Sequence, residues 1–294
     1  MIPFLFTSAR MLGYWDGRHQ HELMPGNFYG LTWNEDRAWV SWERDHVHGS
    51  LIMALDGELL DLPAMDNVHD ILWAQGRLWI TDTAHDRVVA VDGAQVERFP
   101  LAPGGHDSLH LNSLWAPPRA LPRVCEGVRD GEWDERVCVL ASGLAGTDAG
   151  HPATVLDLDG TALCEMRGLF CHNFYVEDGV LYGCYKRDRE SGVYRMALRE
   201  PLYPALFPMG PNAFARGLAR GDDLFLFGQS VSVERERRMD GHSTVVVADD
   251  DLEIVDQIQL RDTGQLRAVR LPDGDRAHNG LPFPKSGIFP GEIT

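Results

Sequence analysis

One internal offset constrains this chain more than any other feature. Tyr29-Gly30-Leu31-Thr32-Trp33 leads to Arg37-Ala38-Trp39-Val40-Ser41, and forty residues later His69-Asp70-Ile71-Leu72-Trp73 leads to Arg77-Leu78-Trp79-Ile80-Thr81. Trp33/Trp73, Arg37/Arg77 and Trp39/Trp79 coincide at that single offset, and both copies close on Asp-Gly, at Asp56-Gly57 and Asp92-Gly93. Further copies open at His172-Asn173 and at Arg216-Gly217-Leu218. A less regular one opens at His110-Leu111-Asn112 and resumes at Arg136 after an insertion. Each unit reads as short apolar or aromatic strands separated by Gly/Asp turns, the signature of hairpins. Units of about 40 residues made of several short strands indicate a β-propeller.

Five units open at Tyr29, His69, His110, His172 and Arg216. Phe4 to Met24 and Gln265 to Leu271 supply one more, assembled from both chain ends. The expectation is an all-β, single-domain, six-bladed propeller over residues 1–294, with 272–294 an irregular C-terminal strap. Five blades with decorated termini is the alternative. A β-sandwich does not repeat its loops and aromatic positions at fixed spacing.

Composition narrows the function. Lys+Arg 27 against Asp+Glu 44 gives a net charge of −17, which repels phosphate backbones and anionic lipid alike. No nucleic-acid or membrane partner is therefore expected. The N-terminus lacks a basic segment followed by a sustained apolar one, and a cytoplasmic location is expected. The five cysteines (Cys125, Cys138, Cys164, Cys171, Cys184) form no C-x-x-C pair, which suits reduced thiols; a Cys125–Cys138 bridge stays open.

The opening residue of each blade's first strand sits at one rim of the channel. The repeat alignment places Tyr29, His69, His172 and Arg216 at equivalent positions there, with Gly30, Asp70, Asn173 and Gly217 beside them. In the irregular copy His110 falls one residue out of register, and Asn112 shares its face. A bulge would restore the register, with His110 favoured.

Three imidazoles make a candidate metal site in which His69, His110 and His172 ligate a divalent transition ion. Without a metal they can serve as acid–base groups. Tyr29, Arg216 and Asp70 are the candidate catalytic residues. Arg216 suits a carboxylate or phosphate, and in the ligand's absence Asp70 is the carboxylate expected to hold it. Asp70 and Asn173 are also placed to orient ligating imidazoles. The function read from this set is hydrolysis or lyase chemistry on a small anionic substrate. A non-catalytic propeller that binds a ligand or protein partner is the alternative. His19/His21, His46/His48 and His278-Asn279-Gly280 read as turns, and Glu234–Arg238 as a solvated loop whose arginines can reach an anionic ligand.

Val68-His69-Asp70, His110-Leu111-Asn112-Ser113, His172-Asn173 and Arg216-Gly217-Leu218-Ala219, in that order, resemble the blade openings of a family of uncharacterised bacterial propeller proteins. Ser113 stands where that family has Gly, and Phe174-Tyr175 where a Pro-containing segment is usual. The resemblance implies a propeller and no particular reaction. A wider likeness is to gluconolactonase- and regucalcin-like propellers, whose divalent metal is held by carboxylate and Asn oxygens. The imidazoles here depart from that set.

Overall fold

A computed structural model describes residues 2–45, 49–102, 107–117, 136–142, 153–166, 170–187, 190–198, 205–211, 213–231 and 237–284. Six antiparallel sheets make up the fold. β1 (Phe4–Ser8), β2 (Met11–Trp15) and β3 (Gln20–Pro25) form one blade with β23 (Leu266–Arg270), the last strand, in the innermost place. The next is β4 (Asn27–Trp33), β5 (Ala38–Asp45) and β6 (Gly49–Ala54). Its fourth position is filled by an extended segment that bridges back through Met53–Leu59 and Ser50–Met65.

The remaining four blades each run inner strand to outer in chain order. They are β7 (Ile71–Ala74), β8 (Arg77–Asp82), β9 (Arg87–Asp92) and β10 (Gln95–Pro100); then β11 (Leu111–Trp115), β12 (Cys138–Ala141), β13 (Ala153–Asp157) and β14 (Ala162–Met166). They continue with β15 (Phe170–Glu177), β16 (Val180–Arg187), β17 (Glu190–Ala197) and β18 (Ala205–Pro211), and end with β19 (Ala213–Arg220), β20 (Phe225–Val231), β21 (Ser243–Ala248) and β22 (Ile254–Leu260). Neighbouring inner strands touch around a closed ring, β23–β4–β7–β11–β15–β19–β23.

The six-bladed reading and the closure by both chain ends are thus as the repeat predicts. The aromatic positions that revealed the repeat are packing positions. Trp33 and Trp115 are fully buried, and Trp39 stacks on Trp73 of the next blade at 5.2 Å. Burying such side chains between adjacent sheets supplies roughly 1.5–3 kcal/mol each, so every blade is stabilised mainly by its neighbours.

Inner strands approach more closely than side chains allow at two places. A Cβ on Gly30 would lie 2.5 Å from the Ile71 backbone nitrogen, and one on Gly217 (φ +74°) 2.6 Å from that of Val269. Glycine beside Tyr29 and beside Arg216 therefore lets the following blade close in. Where the same position carries a polar residue, it staples the blades instead. Leu114 N–H donates to Asp70 Oδ2 at 3.0 Å, and Gly217 N–H donates to Asn173 Oδ1 at 2.7 Å.

The far end of the channel is covered by residues 272–284, which turn without forming strands. Trp33 Nε1–H donates to Leu281 O, and Asn279 Nδ2–H to Trp33 O. The His278 ring stacks on Trp33 at 5.4 Å, so this histidine sits in a buried turn as part of the cover. Asp275 is fully buried and accepts the backbone N–H groups of Arg220, Leu271 and Ala277. Cys138 is a free thiol, while Cys125 and His46/His48 lie outside the described residues. Among the described residues, no helix is long and apolar enough to cross a membrane.

Candidate functional site

The site forms where the inner strands begin, and it forms on bulges. Register shifts fall at Phe28/Leu31, Leu111/Ser113, Cys171/Phe174, Arg216/Leu218 and, where β1 meets β23, at Thr7/Ser8. A bulge breaks strict alternation and re-aims a side chain, here toward the channel mouth. Hydroxyls on neighbouring strands secure these irregular segments. Gly30 N–H donates to Ser41 Oγ, His69 and Asp70 N–H to Thr81 Oγ1, Ala215 N–H to Ser191 Oγ, Leu266 N–H to Ser230 Oγ and Ala268 N–H to Thr7 Oγ1.

Tyr29, His69, His110, His172 and Arg216 all reach this one end. The Tyr29 and His69 rings stack at 5.4 Å, and His69 meets His110 edge-to-face at 4.9 Å. His172 packs on Phe214 at 4.8 Å, and the Arg216 guanidinium lies over the same ring at 4.7 Å. The irregular blade contributes both of its candidates. His110 takes a left-handed backbone (φ +48°) just before the bulge, and Asn112 accepts from His69 Nδ1 at 2.5 Å.

A sixth residue completes the ring. β1 pairs Thr7 with Ala268 and Ser8 with Leu266, which leaves Arg267 as the bulged residue. Its guanidinium lies 4.4 Å over the Tyr29 ring, and its Nη1 donates to Gln265. Aligning Leu266-Arg267-Ala268 with Ala215-Arg216-Gly217 exposes this equivalence in the sequence. It was hidden because the strand is severed from the rest of its blade. Asp107, Asn67 and Phe214 carry no repeat signal, lying before or between the aligned positions.

Asp70 does not hold Arg216. Its carboxylate turns into the channel wall, takes the Ile71 and Leu114 N–H groups, and pairs with buried Arg270 at 3.5 Å. Burial raises its pKa against the opposing pull of Arg270. Asp70 and Asn173 are inter-blade staples whose carboxylate and amide oxygens are spent on backbone donors rather than on an imidazole.

The three histidines are not drawn together as a ligand cluster in this arrangement. Among the described residues, no three His, Cys, Asp or Glu side chains gather to hold an ion. Asn112 Nδ2–H donates to Ser142 Oγ (2.6 Å) and to Cys171 O (3.3 Å), which fixes its oxygen toward His69 and makes Nδ1–H of that ring the donor. His69 Nε2 lies 3.0 Å from the end of the Asn67 side chain, and with Nδ1 protonated the neutral ring accepts there from the Nδ2–H of an Asn67 amide turned to present it. Burial, then the charges of His110 and Arg216, push the His69 pKa well below its usual value. Burial, then Arg216 and His110, do the same to His172. Guanidinium groups beside neutral imidazoles repel a cation and favour an anion.

His110 is oriented differently. Its Nδ1 lies 2.9 Å from Asp107 Oδ1, and because a carboxylate only accepts, Nδ1–H is the donor, which leaves Nε2 as the nitrogen that carries the lone pair whenever the ring is neutral. The loop presenting it is fixed by Asp86, whose carboxylate accepts from the Ser108 hydroxyl and from the Ser108 and Leu109 N–H groups.

Arg216 is the site's anomaly. It is only 7% exposed, its Nε has no hydrogen-bond partner, and no described residue pairs with it. Burial, followed by the neighbouring Arg267, works against its charged form. A guanidinium does not give up its proton, so the cost remains in the fold.

A recess of about 340 Å³ opens on the opposite face beside Asn34, Trp73, Gln75 and Asn279. Asn34 accepts from Asp36 and Arg37 backbone N–H groups, and Asn279 is bonded to Trp33 and Leu281. With those amides committed to turns, that recess offers little chemistry.

No protein-family model matches the sequence, and no curated protein matches it. Solved structures share the architecture. One from Bacteroides caccae, described as a protein of unknown function, has a TM-score of 0.59 and 11% identity over 91% of this chain and 97% of that one. A nidogen/laminin complex gives 0.57 and 10% over 91% and 97%. A TolB-type protein from Agrobacterium tumefaciens gives 0.56 and 14% over 93% and 94%. At such identities the likeness shows the propeller fold alone.

Proposed function

We propose that the channel mouth binds and acts on a small anionic molecule, in hydrolase- or lyase-type chemistry that draws on protein side chains. The observation that carries this reading is Arg216, a buried guanidinium without a carboxylate or other partner among the described residues. A chain of net charge −17 has acidic groups to spare, yet none among the described residues pairs with this one. An anion entering from solvent would supply the missing charge and accept a bidentate hydrogen bond. The aromatic faces of Tyr29 and Phe214 hold Arg267 and Arg216 in place through cation–π contacts worth roughly 0.5–2 kcal/mol, too little to neutralise them.

Around that charge, neutral His172 offers a hydrogen bond without adding charge, while neutral His69, tied to Asn112 and Asn67, forms part of the wall. His110, its tautomer set by Asp107, presents a basic Nε2, and Tyr29 supplies a phenol that has no hydrogen-bond partner among the described residues. Those two are the groups placed to exchange a proton with a bound molecule or a water beside it.

The test is calorimetric titration of the purified protein with sulfate, phosphate, malonate and acetate, before and after chelation with EDTA. Saturable binding that survives chelation supports the reading. Absence of binding by every anion refutes it. Binding that vanishes with EDTA would return the site to a metal centre. Hydrolase and lyase substrate panels bearing the preferred anionic group then test for turnover, with His110→Asn expected to bind normally and turn over at least tenfold more slowly.

A further inference from the structure

The loop that follows β20 brings a third guanidinium to the mouth, after Arg216 and Arg267. Gln265 N–H, two residues before Arg267, donates to Arg238 O at 2.7 Å, and Gly264 N–H donates to Gly241 O. This backbone seam fixes Arg238 to the entrance of the innermost strand of the closing blade. Gly264 (φ +62°) makes the seam possible, since a Cβ there would lie 2.6 Å from the Arg238 carbonyl. Arg238 Nε is buried and without a hydrogen-bond partner, as is Arg216 Nε. Arg238 is also near enough to add to the repulsion that Arg216 experiences. The neighbouring Arg237 is different: it is exposed and faces Asp240 at 3.5 Å. Residues 232–236 lie outside the described set.

From this placement we infer that Arg216 and Arg238 form a two-guanidinium clamp, and that the ligand's anionic group is divalent: a phosphoryl or sulfuryl group, or a pair of carboxylates. This rests on the reading of the mouth as an anion site and adds a charge count to it. Arg216 and Arg238 carry two positive charges on side chains with unpartnered buried Nε atoms, and Arg267 is a third beside them, so a single negative charge does not neutralise the set. A monoanion leaves one of the clamp pair uncompensated, whereas a divalent oxyanion offers each a bidentate edge. His69 and His172, kept neutral, do not change that count.

The experiment compares sulfate, inorganic phosphate at pH 8, malonate, acetate and formate by calorimetry on the full-length protein. The wild type is expected to bind at least one divalent anion ten times or more tighter than acetate or formate. Sulfate and phosphate ahead of malonate identify a tetrahedral head group, and the reverse order a dicarboxylate. Arg238→Met should cut affinity for the preferred divalent anion at least tenfold and change acetate affinity less than threefold. Arg238→Lys, which keeps the charge, should recover most of the preference, and both variants are checked for unchanged melting in anion-free buffer. Equal affinity for mono- and divalent anions in the wild type overturns the clamp while leaving the anion site standing. So does an Arg238→Met variant that binds sulfate, phosphate and malonate as the wild type does. Failure of every anion to bind removes the anion site, and the clamp with it.

Discussion

Arg216→Met should make the protein more stable, provided no anion is present. Arg216 is only 7% exposed and its buried Nε is unsatisfied, a desolvation penalty of about 1–3 kcal/mol. Repulsion from Arg267 adds to that cost. Against it stands the cation–π contact with Phe214 at 4.7 Å, worth roughly 0.5–2 kcal/mol. Methionine keeps most of the aliphatic packing on that ring and places no charge in the channel. The balance is a gain of about 1–2 kcal/mol, within the range seen when buried charges give way to apolar groups. For a chain of this size it should raise Tm by roughly 2–6 °C. The order should reverse in excess anion, because a ligand at 100 times its Kd stabilises the wild type by about 2.7 kcal/mol and the variant hardly at all. Scanning calorimetry in chloride-free buffer, with and without 50 mM sulfate or malonate, reads both halves. If the variant melts lower than the wild type without anion, by more than about 1 kcal/mol, Arg216 is a structural residue and the reasoning is wrong.

Other outcomes follow from the same geometry. Burial pushes the Asp275 pKa up from its usual 3.8 to about 6, so the folded state holds a proton there that the unfolded chain has lost. Its contribution to stability therefore falls as pH rises from about 4 to 6, by up to about 3 kcal/mol. Urea denaturation of wild type and Asp275→Asn at pH 4.5 and 6.5 should show that slope only in the wild type. Asp70→Ala should cost about 3–5 kcal/mol by stranding Arg270 and the Leu114 N–H, and its folded fraction should bind anions normally. Weakened anion binding without destabilisation would make Asp70 a site residue after all. Gly217→Ala should unfold at markedly lower urea, because its Cβ would collide with the Val269 backbone; unchanged stability would refute that close approach.

The architecture was legible in the sequence because its signal is periodic. Trp33/Trp73 and Trp39/Trp79 fill the same inter-blade space in successive units, and selection for packing writes that repetition into the chain. Site residues were legible only where they occupied the repeat's opening position, as Tyr29, His69, His172 and Arg216 do. Arg267 occupies it too, on a strand separated from its blade by almost the whole sequence. Arg238 and Asp107 arrive on loops, whose placement depends on hydrogen bonds from elsewhere, such as Gln265 N–H and the Ala84 carbonyl. Asp70 was misplaced for another reason. Its spacing located it at the rim, but the direction of its carboxylate follows from the neighbouring blade's need for an acceptor at Leu114.

Closure by β23 has a consequence for biosynthesis. β1 is made roughly 260 residues before its ladder partner Leu266–Arg270, so its sheet carries an open inner edge while the other five blades are being made. Such an edge is a template for pairing with other chains, and contacts so distant in sequence form slowly. The same late strand carries Arg267 and seats the Arg238 loop through Gln265. On the proposed reading of the mouth, an incomplete chain lacks the anion site until the circle closes, and an anion supplied during refolding should act as a clasp that favours the closed ring over edge-paired aggregates.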